Sequence, residues 1–419
     1  MHIEYKRKGY MKKNIVKNII LLYGFSIAKI IFPLMTLPYL TRVLNVNTYG
    51  VVSYVKNIMI YIQIVIDFGF MLSGTKEIVE VRDDKKKLGK IAGDILFARI
   101  LLSIIVLIIL IILCAILPIL KAYTGYTLIS FVSVFLSIFL FDYVFRGIEE
   151  MQVITLRFVI MKGIATAFTF ILVKNDSDIF WIPILDCIGS AVAVIMVFIE
   201  LKKRNITIGF TSLKEVINKL IESAIYFTSD MATTAFGALN TVLIGAFLSA
   251  TDVAYWDLCM SIVSAVQALY SPINNGIYPD MVKSKDFNVI KKTLKIFMPI
   301  IIFGCIFTFI IAKYALLILG GSQYTKGADL LRSLTPVLLF SFPSMLLGWP
   351  TLGAIGKVKE VTFTTIITAI IQIIGLVALI ILHQFNLVLI ALLRGGTELF
   401  MLICRSILCN KYKTEFKIY

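Results

Sequence analysis

Long apolar segments separated by short polar gaps recur along the whole chain. Runs such as 100–112, 297–311 and 364–382 are apolar for most of the roughly 20 residues that a helix needs to cross a hydrocarbon core. Division of the chain at charge clusters and at Gly-, Asn- and Asp-rich gaps predicts about twelve membrane-spanning helices. These are predicted at 17–41, 49–72, 91–119, 127–147, 153–173, 179–200, 222–247, 253–278, 294–319, 329–352, 360–382 and 386–409. The pattern predicts an all-α polytopic membrane protein.

Composition supports the same class. Of the 419 residues, 59% are hydrophobic and only 16% are charged, which is too little charge for a soluble protein of this size. The formal net charge is +16. In a membrane protein this surplus is explained by cytoplasmic loops that face anionic lipid headgroups. We therefore expect the lipid bilayer, and no nucleic acid, as a partner.

Basic residues are concentrated in alternate gaps between the predicted spans. The rich gaps precede span 1 and follow spans 2, 6, 8, 10 and 12, whereas the intervening gaps hold about one basic residue each or none. The positive-inside rule then places both termini in the cytoplasm. The outside loops are short, and the chain has no GxxxxGK[ST] motif of its own for ATP.

The widest polar interval, 202–219, lies near the middle of the chain. It predicts an N-terminal lobe of six spans at 1–210 and a C-terminal lobe of six spans at 211–419. The segment 43–50 between spans 1 and 2 weakly matches the segment 247–254 between spans 7 and 8. An even number of spans in each half predicts parallel repeats, and we expect the two lobes to surround a central cavity.

Spans 1, 2, 7 and 8 each carry one stripe of polar residues at helical spacing. Such a stripe either lines a hydrated cavity or joins helices by hydrogen bonds within the membrane. The polar and acidic members that could line a cavity or take part in coupling are Gln63, Asp67, Asp230, Asn240 and Asp257, to which Glu398 in the last span is added.

Cations inside or beside apolar spans are the candidate binding residues. A charge at the bilayer centre costs about 2.5–3.5 kcal/mol even on insertion scales, so such residues usually face water or a partner. A cavity lined with cations indicates an anionic cargo. The predicted binding residues are Lys29, Arg42, Lys56, Lys162 and Arg394. Two alternatives stay open, since Arg394 lies one turn before Glu398 and Lys162 could pair with a neighbouring span.

Coupling to H⁺ or Na⁺ is a hypothesis for Asp230 and Asp257, which could equally neutralise buried cations. No other cofactor is expected. With only two histidines and six scattered cysteines, the chain also predicts no metal site.

Four segments resemble bacterial polysaccharide repeat-unit flippases of the multidrug/oligosaccharidyl-lipid/polysaccharide exporter superfamily. They are 37–44 (LPYLTRVL) followed by Tyr49-Gly50, 67–78 with DFGF and SGTKEI, 141–149 (FDYVFRGIE), and 239–245 (LNTVLIG). Tyr143 stands where the family would be expected to have Trp. The resemblance implies twelve helices in two lobes and a cargo of undecaprenyl-diphosphate-linked oligosaccharide. It also implies alternating access from the cytoplasmic to the outer leaflet, with the polysaccharide polymerase machinery as a possible partner.

Two other functions compete with this flippase hypothesis, which makes the protein a transporter and not an enzyme. A cation-coupled multidrug exporter of the same superfamily would have a cavity dominated by acidic residues. A membrane polysaccharide polymerase or lipid-sugar transferase would need a sizeable outside loop or paired acid–base residues.

Overall fold

The computed structural model describes residues 24–29, 31–231 and 236–416, and this part of the chain is helical with no β-strand. The chain divides into two compact units, Met1–Met231 and Ala232–Tyr419. The described helices of the first unit are α1 (Gly24–Val43, without residue 30), α2 (Val46–Asp67), α3 (Phe70–Val81), α4 (Lys85–Ile116), α5 (Pro118–Ala122), α6 (Thr124–Leu136), α7 (Asp142–Gly147), α8 (Met151–Leu172), α9 (Trp181–Lys203) and α10 (Leu213–Asp230).

The second unit contains eight described α-helices. They are α11 (Phe236–Phe247), α12 (Ala250–Ala268), α13 (Tyr270–Ser284), α14 (Phe287–Gly320), α15 (Ala328–Ser333), α16 (Thr335–Leu346), α17 (Val358–Ile381) and α18 (Leu387–Lys411). Short turns of other helix types lie at Ser137–Leu140, Asp176–Asp178, Ser322–Gly327, Leu347–Leu352, Gly353–Ile355 and Lys413–Glu415.

Eleven helical segments among the described residues are long and apolar enough to cross a membrane. A twelfth apolar helix, Gly237–Phe247, is shorter and falls within the predicted span 222–247. The predicted class, an all-α polytopic membrane protein, is confirmed. The count of twelve spans and the cytoplasmic position of the termini stay predictions.

Large apolar side chains cover the outer faces of the long helices. On α4 the side chains of Ile104, Ile108 and Ile111 are each about half exposed, and α14 presents a similar face with Phe303, Phe307 and Ile310. Water would oppose the exposure of so much contiguous apolar surface. The faces therefore mark the surface that contacts lipid.

Helix α10 follows the predicted lobe boundary at residue 210 and packs against α3 and α4 of the first unit. Helix α10 also packs against the junction between α2 and α3, where Phe68 and Gly69 have positive φ angles and break the helix. The ring of Phe68 stacks on Phe227 with centroids 4.5 Å apart. A hydrogen bond of 2.7 Å joins the hydroxyls of Ser73 and Ser223. Although α10 thus belongs to the first unit, the predicted lobe division stays a prediction.

The segment that leads into α10 crosses a notch of glycines on α4. Gly89 and Gly93 lie one turn apart, and the backbone N–H of Gly209 donates to the carbonyl of Gly89 at 3.0 Å. Next to the notch, Asp94 accepts a 2.8 Å hydrogen bond from the backbone of Thr211. A side chain in the notch would collide with backbone atoms that are held in place, so this segment needs glycine on α4.

We expect Gly93→Ala to lower the free energy of unfolding by about 1–3 kcal/mol, since the new Cβ would be 2.0 Å from the carbonyl oxygen of Gly209. The matched control is Gly304→Ala on α14, where a Cβ has no neighbour within 4 Å and the better helix propensity of alanine should stabilise slightly. Unfolding of both purified variants in detergent measures the difference. Equal stability of the two variants would contradict the packing described.

Candidate functional site

Asp67 is placed by the break between α2 and α3. Phe68 has φ 40° and Gly69 has φ 75°, so helix α2 ends at Asp67 and its carboxylate stands at the helix terminus. The left-handed pair is possible because Gly69 carries no Cβ, which would lie 2.6 Å from the Cβ of Tyr226. The break thus frees the carboxylate of Asp67 to meet side chains from other helices.

Two side chains hold Asp67, and one of them is in turn held by a third. The guanidinium of Arg99 on α4 forms an ion pair with one carboxylate oxygen, and its other terminal nitrogen donates to the carbonyl of Ile138 at 3.1 Å. The amide of Gln63 donates to the second carboxylate oxygen at 2.9 Å and accepts from the hydroxyl of Ser137 at 3.0 Å. The polar stripe of span 2 is therefore engaged inside the first unit by hydrogen bonds between helices.

A second ion pair lies close by, and its acidic residue also stands beside a left-handed break in the backbone. Phe141 adopts a left-handed conformation with φ 47°, and Asp142 then begins helix α7. The carboxylate of Asp142 pairs with Arg157 of α8, whose side chain is only 3% exposed. A buried charge of this kind requires a partner, because its isolated burial would cost several kcal/mol.

The two pairs form one charged cluster with two further cations. Lys29 is exposed on α1 and interacts electrostatically with Asp142, Arg146 and Asp67. The charged cluster consists of Lys29, Asp67, Arg99, Asp142, Arg146 and Arg157. Its four basic side chains face two acidic ones, which leaves a surplus of two positive charges.

A small cavity of about 70 Å³ lies within the charged cluster. It is lined by both carboxylates, by Arg99, and by Gln63, Ser137 and Tyr143 among others. The buried Nε–H groups of Arg99, Arg146 and Arg157 have no hydrogen-bond acceptor among the described residues. Since buried donors are normally paired, the cluster has spare capacity to donate to an anion or to water.

The other predicted cations of the first unit lie elsewhere. Arg42 and Lys56 are both exposed, on α1 and α2 respectively. Lys162 on α8 forms an ion pair of 2.7 Å with Asp186 on α9, so the alternative of a partner on a neighbouring span is the one observed. That these three residues bind cargo stays a prediction.

In the second unit, Asn240 is buried in a hydrogen-bonded chain between three helices. The amide of Gln372 on α17 donates to the side-chain oxygen of Asn240 on α11 at 3.0 Å. The hydroxyl of Thr397 on α18 in turn donates to the side-chain oxygen of Gln372 at 2.9 Å. The predicted polar residue Asn240 thus joins α11 to the α17–α18 pair.

We expect Gln372→Leu to lower the free energy of unfolding by about 1–3 kcal/mol, because it leaves the buried groups of Asn240 and Thr397 without their partner. Thr362→Val is the control, because Thr362 is half-buried on the same helix and its hydroxyl donates to the carbonyl of Val358 one turn back; it should change stability by less than about 0.5 kcal/mol. Thermal and chemical unfolding of the purified proteins would check both values. A Gln372→Leu protein as stable as wild type would argue against the chain.

The last span holds a nearly buried ion pair. Arg394 and Glu398 lie one helical turn apart on α18, and their charged atoms are 2.6 Å from each other. This is the structural pairing left open by the sequence; a role of Arg394 in cargo binding, and of Glu398 in the cavity or in coupling, stays a prediction. Asp257 is half-buried on α12, in electrostatic range of Tyr324. The side chain of Asp230 lies outside the described part of the structure.

A buried arginine on α18 lies against an interruption of the helical backbone after α16. Arg405 on α18 donates to the carbonyl of Ser344 at 2.8 Å and to the hydroxyls of Thr364 and Thr365 at 3.2 and 3.1 Å. It lies against Gly348, whose ψ of −108° interrupts the helical backbone after α16. The neutral oxygens around Arg405 hold this turn in place.

A family model described as polysaccharide biosynthesis protein matches residues 15–285, which is more than half of the chain. The chain belongs to this family. A protein of Shigella dysenteriae named "Putative O-antigen transporter" is 27% identical over 323 residues, covering 76% of this chain and 81% of that protein. The family suggested by the four sequence segments is confirmed.

Solved structures share the fold. The lipid II flippase MurJ in an inward closed conformation superposes with a TM-score of 0.73 at 13% identity, covering 96% of this chain and 88% of that one. An inward-facing multidrug resistance MATE transporter of the MOP superfamily gives a TM-score of 0.70 at 13% identity, covering 94% and 99%. At this identity the matches show a shared fold.

In this member of the polysaccharide biosynthesis family, four residues of the charged cluster are absent from the sequence-predicted site: Arg99, Asp142, Arg146 and Arg157. Arg99 and Arg157 lie near the start of predicted spans. A cation there costs little free energy, so neither residue was a candidate from sequence. Their partners Asp67 and Asp142 are 32 and 15 residues away in sequence, beyond any helical spacing. One signal in the sequence could have indicated these pairs. Each acidic residue lies near the end of a predicted span, and an arginine lies near the start of the span that follows.

Proposed function

We propose that the protein is a flippase that moves lipid-linked oligosaccharide repeat units across the membrane for surface polysaccharide synthesis. Three findings support this function. The chain belongs to the polysaccharide biosynthesis family, its Shigella relative carries the name of an O-antigen transporter, and its fold is shared with a lipid II flippase.

The surplus of positive charge in the charged cluster is the observation that favours this cargo. Four basic side chains against two acidic ones suit a phosphate-bearing ligand, because guanidinium and ammonium groups make strong charge-assisted hydrogen bonds to phosphate oxygens. In the proposal Lys29, which is exposed, makes the first contact with the cargo. Arg146 supplies the other surplus charge, because Arg99 and Arg157 are paired with the two carboxylates.

The finer proposal names the cargo as undecaprenyl-diphosphate-linked oligosaccharide. It would move from the cytoplasmic to the outer leaflet of the bacterial plasma membrane by alternating access, with both termini cytoplasmic. Lys56, Arg42, Lys162 and Arg394 are kept as further candidates for the diphosphate or acidic sugars. Coupling to H⁺ or Na⁺ and contact with the polymerase machinery complete the proposal.

A multidrug exporter shares the fold and is the competing function. Exporters of cationic drugs would be expected to present a surplus of acidic groups to their cargo. In the described part of the first unit, both acidic side chains of the charged cluster are engaged by arginines. This charge balance favours the flippase.

Deletion of the gene in its native host tests the function. We expect loss of surface polysaccharide, accumulation of lipid-linked repeat units, and restoration by the plasmid-borne gene, with no change in resistance to cationic drugs. Normal polysaccharide in the deletion strain, or a drug-sensitive phenotype without a polysaccharide defect, would refute the flippase assignment.

A further inference from the structure

Helices α8 and α9 are separated by a groove that is unrelated to the charged cluster. The helices run antiparallel, since Glu150 pairs with Arg204 at one end and Met161 lies against Gly189 further along. At Gly189 they touch so closely that a Cβ would be 2.6 Å from the carbonyl oxygen of Met161. Between this close approach and the end with the Glu150–Arg204 pair, they enclose a groove of about 680 Å³.

Apolar side chains from both helices line most of the groove. Leu156 and Val159 on α8 are accompanied by Ile199 and Met196 on α9, and all four are apolar. Gln152, Glu200 and Lys203 line the end where α8 begins and α9 finishes. The groove is therefore amphipathic along its length, with a hydrocarbon part and one polar end at the limit of the spans.

The polar end carries a positive charge that is not neutralised. Its acidic side chains are already engaged, Glu149 by Arg82, Glu150 by Arg204 at 3.3 Å, and Glu200 by Lys203 at 2.8 Å and by Arg204. Lys202, which is exposed beside Lys203, makes the fourth basic side chain against three acidic ones.

We propose that this groove binds one anionic phospholipid of the surrounding membrane. Its phosphate lies at Lys203 and Gln152, and one acyl chain follows Leu156, Val159, Met196 and Ile199. A membrane lipid fits better than the polyprenyl tail of the cargo, because the groove opens on the exposed side of α8. Leu156 is 57% exposed there, whereas the next residue, Arg157, points into the charged cluster and is buried.

Native mass spectrometry of the purified protein in phosphatidylglycerol and in phosphatidylcholine tests the site. We expect wild type to retain one phosphatidylglycerol, and Leu156→Trp, which fills the groove, to lower the retained fraction at least tenfold. Ile171→Trp is the matched control, because Ile171 lies on the same helix outside the groove and is 60% exposed. Lys203→Gln should abolish the preference for phosphatidylglycerol, whereas Lys203→Arg should keep it.

Equal retention in Leu156→Trp and Ile171→Trp would overturn the proposal, as would equal binding of the two lipids by wild type. Displacement of phosphatidylglycerol by an undecaprenyl phosphate at equal concentration would assign the groove to the cargo and likewise overturn it. If Leu156→Trp does not purify as a monodisperse protein, the contrast between Lys203→Gln and Lys203→Arg decides. None of these outcomes depends on the transport activity.

Discussion

Replacement of Lys29 and Lys56 together by alanine is expected to reduce surface polysaccharide at least about tenfold in the deletion strain. Each loss removes a charge-assisted contact to an anionic cargo, worth about 1.5–3 kcal/mol, and 1.4 kcal/mol is a factor of ten in an equilibrium constant. Lys29→Ala alone should produce the larger share, because Lys29 interacts electrostatically with the charged cluster. Polysaccharide is measured at equal membrane expression of every variant.

The control for this experiment is Lys121→Ala with Lys326→Ala, which removes two exposed lysines outside the charged cluster. It should leave polysaccharide at the wild-type level. Lys29→Arg should also retain most activity, because it preserves the charge. Wild-type polysaccharide from the Lys29–Lys56 double variant would show that these cations do not bind the cargo.

Asp142→Asn is expected to lower the free energy of unfolding by about 3–5 kcal/mol. The substitution leaves the guanidinium of Arg157 buried without a carboxylate, and an uncompensated buried charge is strongly destabilising. A second substitution, Arg157→Met, made in the Asp142→Asn protein should recover most of the loss, because it removes the isolated charge. Chemical unfolding in detergent measures the single and the double variant.

The matched control is the exposed pair Asp329–Arg332, in which Asp329 is 81% exposed. There Asp329→Asn should cost less than about 1 kcal/mol, since exposed ion pairs contribute little. If Asp142→Asn costs no more than Asp329→Asn, Arg157 is not the buried partner that the structure describes.

The membrane class could be predicted from sequence because a bilayer imposes it directly. A chain that crosses hydrocarbon must pair its backbone within each segment, so long apolar runs become helices whatever their neighbours are. The helix α4 shows this well, since the run 100–112 predicts a span and the structure has a helix from Lys85 to Ile116. The seventh predicted span, 222–247, is less simple, because α10 ends within it and belongs to the first unit.

The charged cluster could be predicted only in part. Spacing along the sequence is sufficient to predict the ion pair between Arg394 and Glu398, which are one turn apart on one helix. It cannot reveal that Asp67 meets Arg99, because the meeting depends on a left-handed break at Phe68 and Gly69 and on the packing of α2 against α4. Polarity within a span shows that a residue needs a partner, whereas the identity of the partner is decided by tertiary contacts.

Accessibility of the lipid-linked repeat units in each leaflet tests the central claim most directly. Spheroplasts of the deletion strain are treated with a membrane-impermeant glycosidase or lectin that recognises the repeat unit, before and after the gene is restored. We predict that the accumulated repeat units are protected in the deletion strain, become accessible with the wild-type gene, and stay protected with the Lys29–Lys56 double variant. Repeat units that are equally accessible with and without the protein would contradict its assignment as the flippase.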